Sequence, residues 1–180
     1  LTVQSGGKLY LDGYNLSFVS SAAVSNSGTI YIKGNESFTN VTNLDIDTGT
    51  VEIIGNAGSG TFNIPDFGAT DYNNLTINGA AAETFRVQDT KTLTVAGNLT
   101  LTQGIFDNAT NDEAINVTAN VTMDNTRTDM GDGTWTVGGG WDHKDVTTFN
   151  DDGSTLTMSG TTKTLTGAVN QNLNHLTISG

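Results

Sequence analysis

Apolar residues in this chain come as pairs separated by one polar residue, and the pattern restarts every few positions. The opening runs Leu1-Thr2-Val3, Leu9-Tyr10-Leu11 and Leu16-Ser17-Phe18-Val19, with Gly6-Gly7 and Asp12-Gly13 in the gaps. Such alternation sends the outer two side chains of a triplet to one face of a strand and the middle one to the other. Gly, Asn and Asp tolerate the left-handed backbone angles that tight turns need. The rhythm continues through Ile30-Tyr31-Ile32, Val51-Glu52-Ile53 and Leu75-Thr76-Ile77. No window carries a helical period, and Ala80-Ala81-Ala82-Glu83 is too short to stand as a helix. The pattern predicts an all-β chain of very short strands.

A longer repeat overlies the short one. Asn73-Asn74-Leu75-Thr76-Ile77-Asn78-Gly79 returns at the end as Leu173-Asn174-His175-Leu176-Thr177-Ile178-Ser179-Gly180. Leu93-Thr94-Val95 answers Leu1-Thr2-Val3, Leu99-Thr100-Leu101 answers Leu9-Tyr10-Leu11, Trp135 stands where Ile30 stood, and Leu156-Thr157-Met158 answers Val51-Glu52-Ile53. The chain therefore divides into two tandem repeats of roughly 100 residues, spanning 1–92 and 93–180 and continuous with each other, with an acidic loop inserted near 105–114. Length changes between strands suit a parallel β-helix, or β-solenoid, because each coil touches only its neighbours. Coils of about 20 residues would give about nine, stacked into a rod of about 40–45 Å. The alternative is two tandem antiparallel β-sandwich domains, for which the strands are short and the Asn-Gly and Asp-Gly hairpin turns few.

Composition narrows the partners. Apolar residues make up 35% and charged ones 14%, which suits a thin core shared along an axis better than one compact core. The net charge is −12, and the only arginines are Arg86 and Arg127. Phosphate recognition needs clustered Lys and Arg, so nucleic acid and anionic membrane surfaces are poor partners. There is no cysteine, hence no disulfide framework or thiolate chemistry. No apolar run approaches the length of a membrane-spanning helix. The chain opens and closes in mid-pattern, as expected of a mature product or an excerpt of a longer polypeptide.

The strings Asn73–Gly79, Lys91-Thr92-Leu93-Thr94-Val95-Ala96-Gly97-Asn98-Leu99-Thr100-Leu101-Thr102-Gln103-Gly104 and Gly133-Thr134-Trp135-Thr136-Val137-Gly138-Gly139-Gly140-Trp141 resemble tandem repeats of large β-solenoid surface proteins of bacteria and archaea. These include filamentous-haemagglutinin-like adhesins and sheath or S-layer-like components. The resemblance covers nearly the whole chain and brings no catalytic residue with it. It implies an extracellular, cell-surface role that is structural or adhesive.

Candidate chemistry is sparse. Eight Asn-x-Ser/Thr sequons occur, at Asn15, Asn35, Asn40, Asn74, Asn98, Asn108, Asn116 and Asn120. Asn108, in the inserted loop, is expected to be the most exposed. Asn74 and Asn98 directly precede strand triplets and could instead form side-chain ladders at turns. Asp129, Asp132, Asp151 and Asp152 lie beside Gly turns and are the candidate ligands for Ca²⁺, which takes oxygen donors. Thr-x-Thr recurs at 92/94, 100/102, 134/136, 155/157 and 164/166. Stacked on a flat face it can order water and bind ice, but Thr is also an ordinary strand former, and the intervening Leu and irregular spacing favour that plainer reading. His143 and His175 have no adjacent nucleophile motif. Trp135 is expected in the core; the less favoured reading of Trp141 turns it outwards to stack on a sugar. The expected function is a non-catalytic segment of a fibre, sheath or adhesin that pairs end to end with itself or with further repeats. The alternative is a carbohydrate-binding or polysaccharide-degrading β-helix.

Overall fold

The computed structural model describes residues 1–45, 47–167 and 172–179. Among them there is no helix; short parallel strands wind forward in stacked coils, each with three faces. Face one carries Thr2–Val3 (β1) and Ser25–Asn26 (β4), then Leu93–Val95 (β11), Ile115–Val117 (β13), Thr134–Val137 (β16), Thr155–Met158 (β19) and His175–Ile178 (β21). Face two carries Lys8–Tyr10 (β2), Thr29–Ile32 (β5), Thr50–Ile53 (β7), Asn74–Asn78 (β9), the first part of Leu99–Asp107 (β12), Val121–Asp124 (β14), Trp141–Asp145 (β17) and Leu165–Thr166 (β20). Face three carries Leu16–Ala23 (β3), Phe38–Asn43 (β6), Thr61–Asn63 (β8), Thr84–Arg86 (β10), the second part of β12, Thr126–Asp129 (β15) and Thr148–Asn150 (β18). The solenoid is thus as expected, and all the described strand pairs are parallel.

Face two runs β2-β5-β7-β9-β12-β14-β17-β20, giving about eight coils among the described residues rather than nine. The reason is coil length: partners on face two lie from 20 residues apart, as Val121 and Trp141, to 25 apart, as Asn78 and Gln103. The acidic insertion also begins later than expected. Ile105, Phe106 and Asp107 continue β12, where Phe106 pairs with Phe85.

Alternation builds the core. In β5, Ile30 and Ile32 are buried while Thr29 and Tyr31 face outwards, and β7, β9 and β19 repeat the pattern. The inward residues form one continuous cluster along the stack. Face three contributes Phe62, Phe85 and Phe106 in consecutive coils. Lower down, Trp135 and Trp141 meet edge to face at 5.4 Å, with Phe106 5.5 Å from Trp135. Both indoles are fully buried. Trp135 is therefore in the core as expected, whereas Trp141 is not a surface platform: it holds the inward position of face two, in register with Val121.

Candidate functional site

Among the described residues, β20 and β21 are the last strands at the lower rim of the stack. In β21, Leu176 and Ile178 are in register with Leu156 and Met158 of β19. The inner pair is fully buried, whereas Leu176 is 42% and Ile178 65% exposed. Leu165, the partner of buried Trp141, is 44% exposed. Among the described residues the columns that fill the core thus run down to exposed apolar side chains, beside strand edges whose backbone groups can pair further. At the upper rim Leu1 and Tyr10 are exposed, and Tyr10 stacks flat on Tyr31 with ring centroids 4.3 Å apart.

Face three is broken. Strands β3 and β6 form one sheet, and β8, β10, β12, β15 and β18 another. Beside the break lies a cleft of about 550 Å³ whose lining includes Phe38, Phe62, Pro65, Phe67, Asp66 and Gln88. Phe67 meets Phe38 and Tyr72 edge to face at 5.4 and 6.0 Å. Its loop is held from within: the fully buried carboxylate of Asp71 accepts the N–H groups of Phe67, Gly68 and Thr94. Burial pushes Asp71 above the usual carboxylate range, against the pull of those three N–H groups.

At the corner between faces one and two, asparagines form a ladder. The Asn98 N–H donates to Asn74 Oδ1 at 3.0 Å, that of Asn120 to Asn98 Oδ1 at 3.2 Å, and that of Gly140 to Asn120 Oδ1 at 2.7 Å. Three of the eight sequons are therefore ladder residues. A fourth, Asn108, is not exposed: it is fully buried, and its amide nitrogen donates to the carbonyls of Glu113 and Met130 at 2.9 Å each. It braces the loop from inside, so the expected exposure is corrected. Asn40 donates to the Phe18 carbonyl. Asn15, Asn35 and Asn116 are exposed, and Asn15 accepts the Ser37 N–H at 2.8 Å.

The four candidate Ca²⁺ ligands are not brought together. Asp129 is buried against Arg127 and Asn150, Asp132 accepts the Gly153 N–H, and Asp151 caps the turn to Ser154 through its carbonyl. Among the described residues no group of three or more His, Cys, Asp or Glu side chains is placed to hold a metal ion. The two histidines are also apart. His143 is buried, accepts the Trp141 indole N–H at 3.0 Å and packs on Phe149, and burial lowers its pKa. His175 lies exposed on β21.

Sequence reasoning missed the buried carboxylates at the coil corners. Glu36 accepts the N–H groups of Gly13, Lys33 and Gly34, and Glu83 those of Asn56, Gly58 and Ala80. Asp45 is less well served. It is 2% exposed, and its Oδ2 has no partner among the described residues. Burial raises its pKa from 3.8 to about 6, opposed by the backbone of Asp47, Gly49 and Asn74. A carboxyl whose folded pKa lies above its unfolded one favours the fold most below the unfolded value, and that contribution disappears as pH rises through the folded value. Asp45→Asn is therefore expected to stabilise the protein at pH 8 by about 2–3 kcal/mol and to have little effect at pH 3.5. Urea titrations at the two pH values check this, and an equal effect at both would refute it.

Comparison with family models, with curated proteins and with solved structures finds no match.

Proposed function

We propose that this chain is a non-catalytic structural segment of an extracellular fibre, sheath or cell-surface adhesin, continued at its rims by further coils of the same polypeptide or by another copy. The observation that carries this reading is the lower rim, where Leu165, Leu176 and Ile178 extend the core columns and remain exposed. Each further coil would add parallel backbone pairing and close those columns, as the inner coils do for one another. Surface attachment accords with the resemblance of the repeats and with an acidic, cysteine-free exterior.

Negative-stain microscopy and sedimentation across a concentration series test the assembly. End-to-end particles that dissociate in an Ile178→Lys variant are expected. Monomers at high concentration whose β21 amides are protected from exchange would sink the proposal. The second reading is carbohydrate binding, favoured by the aromatic-lined break in face three. Monomers that bind a glycan array and lose that binding in Phe67→Ala would favour it.

A further inference from the structure

Three of the five Thr-x-Thr triplets, at 92/94, 134/136 and 155/157, are unevenly spaced along the chain but fall on one face. On face one the strands pair from β11 to β21 with no register shift. Face two, by contrast, slips between Leu101 and Gln103 and between Thr122 and Asp124. The regular pairing sets Thr94, Asn116, Thr136, Thr157 and Thr177 in one outward column. Thr134, Thr155 and His175 form a second column beside it. The residues between the threonines, such as Trp135 and Leu156, point into the core. The intervening apolar residue therefore does not interrupt the surface; it is what turns both threonines outwards.

The chemistry of this face differs from that of the other two. Its two columns contain no Asp, Glu, Lys or Arg and no Phe, Tyr or Trp, in a chain of net charge −12. Face two presents Lys8, Glu52, Asp142 and Lys144, and face three presents the Arg86–Asp107 pair. A partner protein of opposite charge has nothing to pair with on face one, and a sugar ring has no aromatic platform to stack on. What remains is a grid of six threonine hydroxyl and methyl groups with Asn116 and His175 among them, each Thr restricted at χ1 by its β-branch.

We propose that this grid binds the surface of crystalline water. The rungs repeat at about 4.8 Å. Water bonded tetrahedrally at an O···O distance of about 2.75 Å puts second-neighbour oxygens about 4.5 Å apart. With Thr136 aligned at the middle of its column, the mismatch of about 0.3 Å per rung leaves the neighbouring rungs about 0.3 Å and the end rungs, Thr94 and Thr177, about 0.6 Å from lattice sites, so the match is best at the centre of the column. The hydroxyls hydrogen-bond the lattice water, while the methyl groups exclude mobile water from the contact. This goes beyond the structural role proposed above and is independent of it, because the grid lies on the flank of the stack and not on its rims.

The test is thermal hysteresis and ice-crystal habit for the full 180-residue chain, expressed without glycans because Asn116 lies in the grid. Faceted crystals and a measurable hysteresis gap are expected. Thr136→Lys and Thr157→Lys should lose the gap, whereas Thr122→Lys on face two should keep it, all three retaining the wild-type circular dichroism. Asn116→Thr, which completes the column, should widen the gap, a gain that no folding defect can imitate. Absence of any gap in the wild type would overturn the proposal. So would equal loss in Thr122→Lys, a narrower gap in Asn116→Thr, or binding to crystalline cellulose or chitin in place of ice.

Discussion

Trp135→Ala is expected to remove about 3–5 kcal/mol of stability and to split unfolding into two steps. The indole is fully buried on face one, contacts Phe106 and Trp141, and donates its N–H to the Met130 carbonyl at 3.3 Å. Its loss empties the space where side chains from three faces meet. In a globular core such a cavity weakens the whole domain, but a coil stack has only nearest-neighbour interfaces, and a weak one uncouples what lies on either side. The coils carrying β19, β20 and β21 should then open before those carrying β5 to β12. Hydrogen exchange read strand by strand checks the order, and a thermal melt checks the number of steps. A single transition at an unchanged midpoint would show that Trp135 does not link the two parts of the stack.

What the sequence made legible was whatever depends on neighbours along the chain. Alternation in Thr29-Ile30-Tyr31-Ile32 fixes which side chains are inward, and the structure buries the expected ones. Pairing between coils was less legible because corners vary in length. Ile30 and Trp135 correspond across the two repeats and both point inward, yet Ile30 lies on face two and Trp135 on face one. Uneven spacing likewise hid the threonine grid, since register is set by backbone pairing between coils and not by distance along the chain. Asn108 looked like an exposed loop sequon because its flanks are polar. The turn signal was present in Asp107-Asn108-Ala109-Thr110, where Thr110 bonds back to Asp107 through both its N–H and its hydroxyl. That closure points the Asn108 amide inward at the carbonyls it braces.

The same distinction accounts for the ion pairs on face three. Arg86 stands in register with Asp107, which is in register with Asp129. Two acids on adjacent rungs would repel, so each needs its own partners. Asp107 has Arg86 at 2.8 Å and the Thr110 hydroxyl. Burial pushes its carboxyl up, but the bonds from Thr110 and Arg86 outweigh it and hold the group below its ordinary value. Asp129 has Arg127 and Asn150. With these partners Asp129 serves to hold rungs together, which explains why it is not free to ligate a cation.

Glu83→Gln should cost about 2–4 kcal/mol, although it changes one atom of a side chain that read as the end of an alanine run. The carboxylate is fully buried at the corner between faces two and three. Oε1 accepts the Asn56 N–H at 2.6 Å and the Gly58 N–H at 3.3 Å, and Oε2 accepts the Ala80 N–H at 2.7 Å. Both oxygens therefore face donors, and either orientation of an amide would set an NH₂ group against a backbone N–H. Two glycines make room for the acid: a Cβ on Gly55, whose φ is +65°, would fall 1.9 Å from Oε2, and one on Gly79 would fall 2.7 Å from it. Because Asn56 and Ala80 belong to successive coils, the loss should register as weaker coupling between them. Chemical denaturation gives the magnitude, and exchange of the Asn56 and Ala80 amides gives the location. If the glutamine variant unfolds within about 0.5 kcal/mol of the wild type, the carboxylate is not what closes this corner.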